Sequence, residues 1–466
     1  MSDTSTSPRR PNIILINCDD LGYGDLGCYG STCNDTPHLD RLAASGVRFT
    51  DFYAAAPVCS ASRAALLTGC YSQRVGLADY QVLFPGQAQG LNPRECTIAR
   101  QLKQVGYATK IIGKWHCGDQ PEFLPTRHGF DEYFGIPFSN DMGRQVTHPD
   151  RAPLPLLRDE TVAQQQPDQR GLTERYVDEA LQFMRRPRTD PFFLYLAHMY
   201  VHVPLFVPRP FLDRSRNGAY GGAVACIDWA MGMIDAELRR LGLLDDTLVI
   251  FTSDNGSRAR GEGGSNAPLR GTKAQTWEGG QRVPCIVRWP GRIAPETTCG
   301  GIASAIDLFA TLAEITGAPL PGVPLDSLSL APTLLAGSPT PRNSFAYYRG
   351  PNLEAVRLGD WKLHFCKFEW TPQGAATREL RELYNLREDA GETTNVIEDH
   401  CSVVAAIEAE AEAFRRRFGD RRLNRNGAEI REAGVCPAPR TLTAYDADYP
   451  YLVACYDLAD MPTMAG

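Results

Sequence analysis

The chain has 466 residues, of which 43% are hydrophobic and 22% are charged, and its 48 basic and 55 acidic residues give a formal net charge of −7. This composition excludes a disordered chain, a disulfide-dense scaffold and a generally basic nucleic-acid binder. No apolar run approaches the roughly 18 residues of a membrane-spanning helix. We therefore expect a globular protein with a large core, without a membrane span and without a nucleic-acid partner.

The N-terminal segment carries no recognisable leader. It begins with polar residues, and the apolar run at 13–16 is far shorter than the roughly 7 to 15 residues of a signal-peptide core. As the sequence stands, we expect a cytoplasmic protein, or a secreted or periplasmic one if a leader has been removed.

Short apolar runs alternate with helical patterns from residue 11 to about 340, which is typical of parallel βαβ units and an α/β fold. The apolar run at 12–17 does not alternate with polar residues, which predicts a strand buried on both faces of a sheet. In chain order, the remaining predicted elements are a helix from Pro37 to a stop at Gly46, a helix at 97–105 leading into a strand at 108–112, a strand at 192–197, a helix at 223–241 leading into a strand at 248–252, a strand at 283–288 and a helix at 307–316. We expect a large, mixed and mostly parallel sheet flanked by helices.

A series of prolines between residues 319 and 341 marks a domain boundary near residue 340. Beyond it, we predict short strands at 345–348, 354–358 and 361–365 and a helix at about 403–418. The prediction is therefore a large α/β domain over residues 1–340 and a smaller α+β domain over residues 341–466. The smaller domain would consist of a short antiparallel sheet, a helix and an extended tail.

Polar side chains follow four of the predicted strands. Ligands of open α/β sheets bind outside the carboxyl ends of the strands, so these positions are candidates for a functional site. They are Asp19 and Asp20, Lys114 and His116, His198 and His202, and Asp254 and Asn255. Taken singly, each pair is also compatible with a turn, a surface lysine or a core histidine, and we interpret His198 as a core histidine or a residue behind the site.

Asp19, Asp20, Asp254 and Asn255 together offer three carboxylates and an amide oxygen at two strand ends. An all-oxygen set of this kind suits a hard divalent cation, Ca²⁺ or Mg²⁺. Neither histidine nor cysteine is obviously part of the set, which argues against zinc. The combined pattern favours a metal site over two unrelated turns.

Cys59 stands at the start of a short predicted helix that ends at Gly69. The free amides and the dipole at a helix N-terminus can lower the pKa of a thiol, which would give an active thiolate. The alternative is a buried, unreactive cysteine at the start of a helix. The residue type and its position at the start of a helix are compatible with both interpretations.

Several segments of the chain resemble the type I, formylglycine-dependent sulfatases, and they occur in the order found in that family. They are NIILINCDDLGYGDLGCYG from Asn12, CSASRAALLTG from Cys59, GYATKIIGKWHCG from Gly106, the His202 and Pro204 pair, TSDNG from Thr252, GTKAQTWEGGQRVP from Gly271, AVRLGDWKL from Ala355 and ELYNLREDAGETTNV from Glu382. The segment GIPFSNDMG from Gly135 is most similar to the arylsulfatase A and N-acetylgalactosamine-6-sulfatase branch. The resemblance covers residues 12 to about 400.

The resemblance implies an alkaline-phosphatase-like fold and conversion of Cys59 to formylglycine by a formylglycine-generating enzyme. Ala61 stands where the usual maturation signal has proline. The implied ligands of a calcium ion, with Mg²⁺ as the alternative, are Asp19, Asp20, Asp254, Asn255 and the modified residue 59. The residues implied to surround the sulfate are Arg63, Lys114, His116, His202 and Lys273.

The implied reaction is hydrolysis of a sulfate monoester, either of an aryl compound or of a sulfated carbohydrate. A hydroxyl of the formylglycine hydrate, assisted by Asp254, would attack sulfur, while His202 and Lys273 would share protonation of the leaving oxygen. His116 would take the proton from the other hydroxyl as sulfate leaves. Two alternatives stay open: a phosphonate or phosphate ester hydrolase of the same superfamily, and a catalytically silent relative that binds sulfated glycans.

Overall fold

A ten-stranded mixed sheet forms the centre of the computed structural model, which describes residues 10–145, 148–371, 374–444 and 446. In chain order, the strands are β1 (Asn12–Cys18), β2 (Val47–Phe49), β3 (Ala108–Gly113), β4 (Glu132–Gly135), β5 (Pro155–Arg158), β6 (Thr161–Gln165), β7 (Phe192–Ala197), β8 (Thr247–Ser253), β9 (Cys285–Arg288) and β10 (Thr297–Cys299). Their order across the sheet is β10-β2-β9-β8-β1-β7-β3-β4-β5-β6.

The five strands at the middle of the sheet, β8, β1, β7, β3 and β4, are parallel to one another. The outer strands β9, β5 and β6 pair in the antiparallel sense. Every residue of β1, β7 and β8 is buried, because helices cover both faces of the sheet. The carboxyl ends of these strands therefore meet at one edge, where their connecting loops form the candidate site.

Helices lie on both faces of the ten-stranded sheet, and the last helix lies against the smaller sheet described below. They are α1 (Pro37–Ala44), α2 (Cys59–Thr68), α3 (Ile98–Lys103), α4 (Leu172–Arg185), α5 (Arg209–Leu212), α6 (Gly218–Arg240), α7 (Glu278–Gln281), α8 (Asp307–Thr316), α9 (Ala331–Ala336) and α10 (Cys401–Phe418). One core contains α1, α4 and α6, and a second contains α2, α3, α8 and α9. Within the described residues, none of these helices combines the length and apolar character that crossing a bilayer requires.

A separate four-stranded antiparallel sheet lies towards the C-terminus. It consists of β11 (Ser344–Arg349), β12 (Asn352–Leu358), β13 (Trp361–Thr371) and β14 (Gly374–Asn385), in that order, and α10 packs against it. Its core also contains Tyr53 and Tyr71, which belong to the large α/β part of the chain. The small sheet is thus attached through a shared hydrophobic core.

The predicted fold class is confirmed: a large mixed, mostly parallel sheet is flanked by helices, and a smaller antiparallel sheet with a helix follows it. The strand predicted at 283–288 begins at Cys285 and runs antiparallel to β8. Of the predicted tail, residues 434–435 pair with residues 89–90, and residues 447–466 lie outside the described residues.

Buried ion pairs connect the two sheets. The side chain of Lys362 in β13 is fully buried and forms ion pairs with Glu278 at 3.0 Å and Glu392 at 2.9 Å. Its ammonium also donates a hydrogen bond to the carbonyl of Thr276. Glu392 is further bound by the ring of His364, at 2.8 Å. Because these charges are removed from water, loss of one partner leaves the others uncompensated.

We therefore predict that Lys362→Met lowers the free energy of unfolding by about 3–5 kcal/mol, the usual cost of breaking a buried ion pair. The matched control is Lys103→Met, because Lys103 pairs with Asp131 where both side chains are about two-fifths exposed, at 44% and 41%. An exposed pair contributes about 0–1 kcal/mol. Denaturant unfolding followed by circular dichroism measures both variants, and equal losses would contradict the assignment of Lys362 to a buried network.

Candidate active site

Two neighbouring parallel strands bring the predicted acidic ligands together. Asp19 and Asp20 follow β1 directly, and Asp254 and Asn255 follow β8 directly. Cys18 and Ser253 are paired in register at the ends of these strands, so the next residues of each must be neighbours. The backbone N–H of Asp20 donates to Asp254 Oδ1 at 3.2 Å, and Asn255 Nδ2 donates to Asp20 Oδ1 at 2.7 Å.

The cluster fits a hard divalent cation. One oxygen from each of Asp19, Asp20 and Asp254 lies within 4.8 Å of the other two, and all three residues are buried. Asp19 Oδ1 and Asn255 Oδ1 are buried without a hydrogen-bond partner among the described residues. Burial and the charge of Asp19 raise the pKa of Asp254. A cation with oxygen ligands would relieve this repulsion and satisfy the unpaired oxygens, so the donor set suits Ca²⁺ or Mg²⁺.

Cys59 is the first residue of α2, and the preceding Val58 is extended. Its side chain is almost fully buried. Burial raises the pKa of the Cys59 thiol, although the positive charge of Lys114 acts in the opposite direction. An unmodified Cys59 is therefore a neutral, buried thiol, and its interpretation as a thiolate activated by the helix N-terminus is not supported.

Two fully buried cations lie beside the acidic cluster. Arg63, one helical turn after Cys59, donates from Nε to Asp254 Oδ2 at 2.8 Å and from a terminal nitrogen to the carbonyl of Lys114 at 3.0 Å. The ammonium of Lys114 donates to Asp19 Oδ2 and to Ser139 Oγ. Both cations contact the carboxylates, and neither lines the open cavity described below. Their charges therefore compensate and orient the acids.

His116 is fully buried, and its backbone has a left-handed φ of 58°. Its Nε2 lies 3.0 Å from the carbonyl oxygen of Leu83, so Nε2 carries the proton and donates to that oxygen. Nδ1 has no hydrogen-bond partner among the described residues. Burial and the positive charge of Lys114 hold the pKa of His116 well below its ordinary value. The ring is therefore neutral, with Nδ1 available as a base.

His202 and Lys273 approach the cluster from the other side. Lys273 Nζ donates to Asp20 Oδ2 at 3.0 Å, and His202 Nε2 lies 3.8 Å from the same oxygen. Burial and the charge of Lys273 lower the pKa of His202, whose Nδ1 faces the carbonyl of Val203. Burial disfavours the charged form of Lys273, but Asp20 more than offsets this and raises its pKa. Lys273 therefore holds its proton more firmly than His202 would.

A cavity of about 700 Å³ opens above these residues. Its lining includes Cys59, His116, His202 and Lys273. Asp141 also lies in this lining. The volume is within the range of ordinary small-molecule sites, and the basic side chains at its base suit an anionic substrate.

Sequence reasoning missed three arginines that line the same cavity, Arg258, Arg260 and Arg349. They belong to loops or strand ends without any recognisable motif. The end of the described tail also lies nearby: residues 441–443 line a second cavity of about 270 Å³ that shares Phe84, Asp141 and Met142 with the first.

The other predicted candidates have structural roles. His198 is buried behind the site, does not line the cavity, and its nitrogens have no partner among the described residues. Trp115 donates a hydrogen bond to the carbonyl of Phe123, and Trp277 packs against the ring of His364. Both tryptophans are packing residues.

Comparison with known proteins identifies the class of this chain. A profile of the sulfatase family matches residues 11–318, and a profile described as the C-terminal region of aryl-sulfatase matches residues 340–437. The first match alone spans more than half of the sequence. The chain belongs to the sulfatase family, and it is a sulfuric ester hydrolase.

Individual relatives agree with this assignment. Human arylsulfatase A is 42% identical over 426 residues, which cover 84% of this chain and 84% of the relative. Human N-acetylgalactosamine-6-sulfatase is 40% identical over 416 residues, which cover 85% of this chain and 79% of the relative. Among solved structures, the PsFucS1 sulfatase from Pseudoalteromonas sp. superposes with a TM-score of 0.79 at 27% identity, over 87% of this chain and 90% of that one. The resemblance to the arylsulfatase A and N-acetylgalactosamine-6-sulfatase branch is thereby confirmed.

The acidic cluster leads to a prediction about metal affinity. Asp254→Asn keeps an acceptor for Arg63 but removes a negative charge from the cluster. We expect it to weaken Ca²⁺ binding by at least about 10-fold, since even the loss of a residue that only supports a ligand costs that much. Isothermal titration calorimetry of the metal-free protein measures the effect.

Asp228→Asn is the matched control. Asp228 is also a buried acid, but its carboxylate accepts the backbone N–H groups of His38 and Leu39 at the start of α1, away from the cluster. Its variant should bind Ca²⁺ like the unaltered protein. Equal affinities of the Asp228→Asn and Asp254→Asn proteins would count against the proposed metal site.

Proposed function

We propose that this chain hydrolyses sulfate monoesters of aryl compounds or sulfated carbohydrates, using a formylglycine made from Cys59 by a formylglycine-generating enzyme. We further propose that Asp19, Asp20, Asp254, Asn255 and the modified residue 59 hold a calcium ion, or Mg²⁺ in its place. The observation that carries the proposal is the buried acidic cluster near Cys59, a residue that itself lines a cavity together with several cations. Membership of the sulfatase family supports it.

Two groups would supply chemistry that the twenty amino acids lack. The hydrated aldehyde of formylglycine provides a hydroxyl that can attack sulfur and later be regenerated, which a serine cannot do. A bound divalent cation lowers the pKa of such a hydroxyl and neutralises the oxygens of the sulfate. We propose that Asp254, which lies next to this position, assists in removing the proton of the attacking hydroxyl.

The surrounding side chains would share charge compensation and proton transfer. Arg63 and Lys114, which contact Asp254 and Asp19, favour the ionised form of the carboxylates and hold them in place. His116 is neutral with an unprotonated Nδ1, and we propose that this nitrogen accepts a proton when the aldehyde is restored. Lys273 carries a proton at Nζ that it can give to the leaving oxygen, and we propose that His202 binds that oxygen and shares the proton.

The state of residue 59 is the direct test. Mass spectrometry of the tryptic peptide that contains Cys59 should find the aldehyde in place of the thiol, in proportion to the rate of sulfate release from 4-nitrophenyl sulfate. Protein in which residue 59 is a thiol throughout, and which nevertheless releases sulfate at the full rate, would contradict the proposal.

The assignment of Lys273 leads to a second prediction. Lys273→Ala should lower kcat/KM by about 10²–10⁴-fold for sugar sulfates, whose leaving oxygen needs a proton, and much less for 4-nitrophenyl sulfate. A series of aryl sulfates with graded leaving groups measures this dependence. Lys103→Ala, which changes a half-exposed lysine on the surface, serves as the control. Equal losses across the series would argue against proton donation by Lys273.

The same assay distinguishes the proposed sulfatase activity from the alternative activity on phosphorus esters. Rates on matched 4-nitrophenyl sulfate and 4-nitrophenyl phenylphosphonate report the preference directly. A catalytically silent binder would leave both substrates intact while Cys59 remains a thiol.

A further inference from the structure

The cavity contains more positive charge than a single sulfate requires. Beyond the cations at its base, Arg258, Arg260 and Arg349 contribute guanidinium groups to its lining. None of the three has a carboxylate within 4.0 Å in the part of the chain that the structure describes. Of the acids in the same lining, Asp79 is ion-paired with Arg421 at 2.6 Å, and Asp141 acts electrostatically on His202.

Arg258 is the most informative of these residues. Its Nε is buried, yet it has no hydrogen-bond partner among the described residues. A buried donor without a partner is costly, and proteins usually satisfy such groups with another side chain, water or a ligand. Arg258 itself lies in the lining of the cavity, and no hydrogen bond or ion pair of its terminal nitrogens occurs within the described residues, so the guanidinium is not committed to another protein group.

Arg349 is held in place by the C-terminal sheet and by the loop of Lys273. Its Nε donates to the carbonyl of Ala274 at 2.8 Å, and its guanidinium carbon lies 3.2 Å from the ring centroid of Phe368. Those two contacts use the Nε donor and one face of the guanidinium plane. No further hydrogen bond of the guanidinium occurs within the described residues. Its terminal nitrogens are therefore left for a ligand, in an orientation that is already fixed.

Arg258 and Arg349 are linked to the same turn. The backbone N–H of Lys273 donates to the carbonyl of Ser257 at 3.0 Å, directly before Arg258, while Arg349 binds the next residue, Ala274. Both guanidinium groups are thus connected through backbone contacts to the proposed proton donor. A ligand bound by them would occupy the same cavity as the reacting sulfate.

We propose that Arg258 and Arg349, with Arg260 at the exposed rim, form a second anion subsite, so that the preferred substrates carry another negative group besides the scissile sulfate. The proposal rests on the proposed sulfatase function and names the substrate class of the same site: sulfated carbohydrates with a further carboxylate or sulfate. Guanidinium groups bind both anions through paired, charge-assisted hydrogen bonds. A neutral aryl sulfate would leave these arginines without a partner.

The test compares matched substrates. One pair consists of disaccharides with the same sulfate, in which the neighbouring sugar is a uronic acid or a neutral hexose. The other pair consists of monosaccharides with one or two sulfates. We expect the dianionic member of at least one pair to be hydrolysed with a kcat/KM about 10-fold higher or more, as charge-assisted hydrogen bonds allow. The pair that shows the effect identifies the anion, and no preference in either pair would overturn the proposal.

The variants link the preference to the arginines. Arg258→Gln and Arg349→Gln should each reduce the ratio of the two kcat/KM values towards one, and Arg258→Lys should restore part of it. Arg94→Gln removes the same charge from a side chain that is 81% exposed and outside the cavity, so the ratio should stay unchanged. Since the side chain of Arg258 makes no hydrogen bond within the described residues, its substitution is not expected to impair folding. An unchanged ratio in Arg258→Gln and Arg349→Gln would refute the subsite.

Failure of the sulfatase function gives a different result. If no substrate of either pair and no aryl sulfate releases sulfate, the proposed function is wrong, and calorimetry with the intact sugars then decides on the subsite alone. Binding of the dianion about 10-fold tighter than the monoanion, and loss of that difference in Arg258→Gln, would support the subsite. Equal affinities for both sugars would exclude it.

Discussion

Repulsion between buried carboxylates is the constraint on which the site depends. The parallel pairing of β1 with β8 forces Asp19, Asp20 and Asp254 to one point at the end of both strands. Three negative charges at this distance and depth cannot coexist without compensation. The surrounding structure provides it, through Arg63 and Lys114, whose buried positive charges contact the carboxylates.

The repulsion between the carboxylates also explains why the site has two kinds of basic side chain. Arg63 and Lys114 are enclosed and committed to the acids, whereas Lys273 and the two histidines line the cavity. The enclosed pair can therefore stabilise the cluster whether or not a substrate is present. A cation that lines the cavity can exchange its contacts for those of a substrate, which suits binding and proton transfer.

The parts of the fold that could be predicted from the sequence are those with a strong local signal. The strand β7 and the helix α8 were predicted with their observed bounds, because one is a continuous apolar run and the other has a clear start and stop. The helix α4 and the outer strands β5 and β6 were not predicted. Both strands are short, and β6, at the edge of the sheet, is partly exposed, so their pairing depends on the neighbouring strand more than on their own residues.

The residues of the candidate site also differ in whether their local sequence carries a signal. Asp19 and Asp254 could be located because they follow buried strands, and parallel neighbours end at the same edge of the sheet. Arg258 and Arg349 could not, because an arginine in a loop or at a strand end has no periodicity, and only the folded chain shows that both line one cavity. Arg63 was predicted to surround the sulfate; in the fold it donates to Asp254, a contact that its sequence position alone did not indicate, and its role towards the sulfate stays a prediction.

The C-terminal sheet bears directly on the active site, because it holds the loop that carries Lys273. Arg349 of β11 binds the carbonyl of Ala274, and Lys362 of β13 binds the carbonyl of Thr276. Both carbonyls lie within three residues of Lys273, so the position of the proposed proton donor depends on contacts from the smaller sheet. That sheet also supplies Phe368 to the wall of the cavity. A division of the chain near residue 340 therefore separates two sequence regions that both contribute residues to the lining of one cavity.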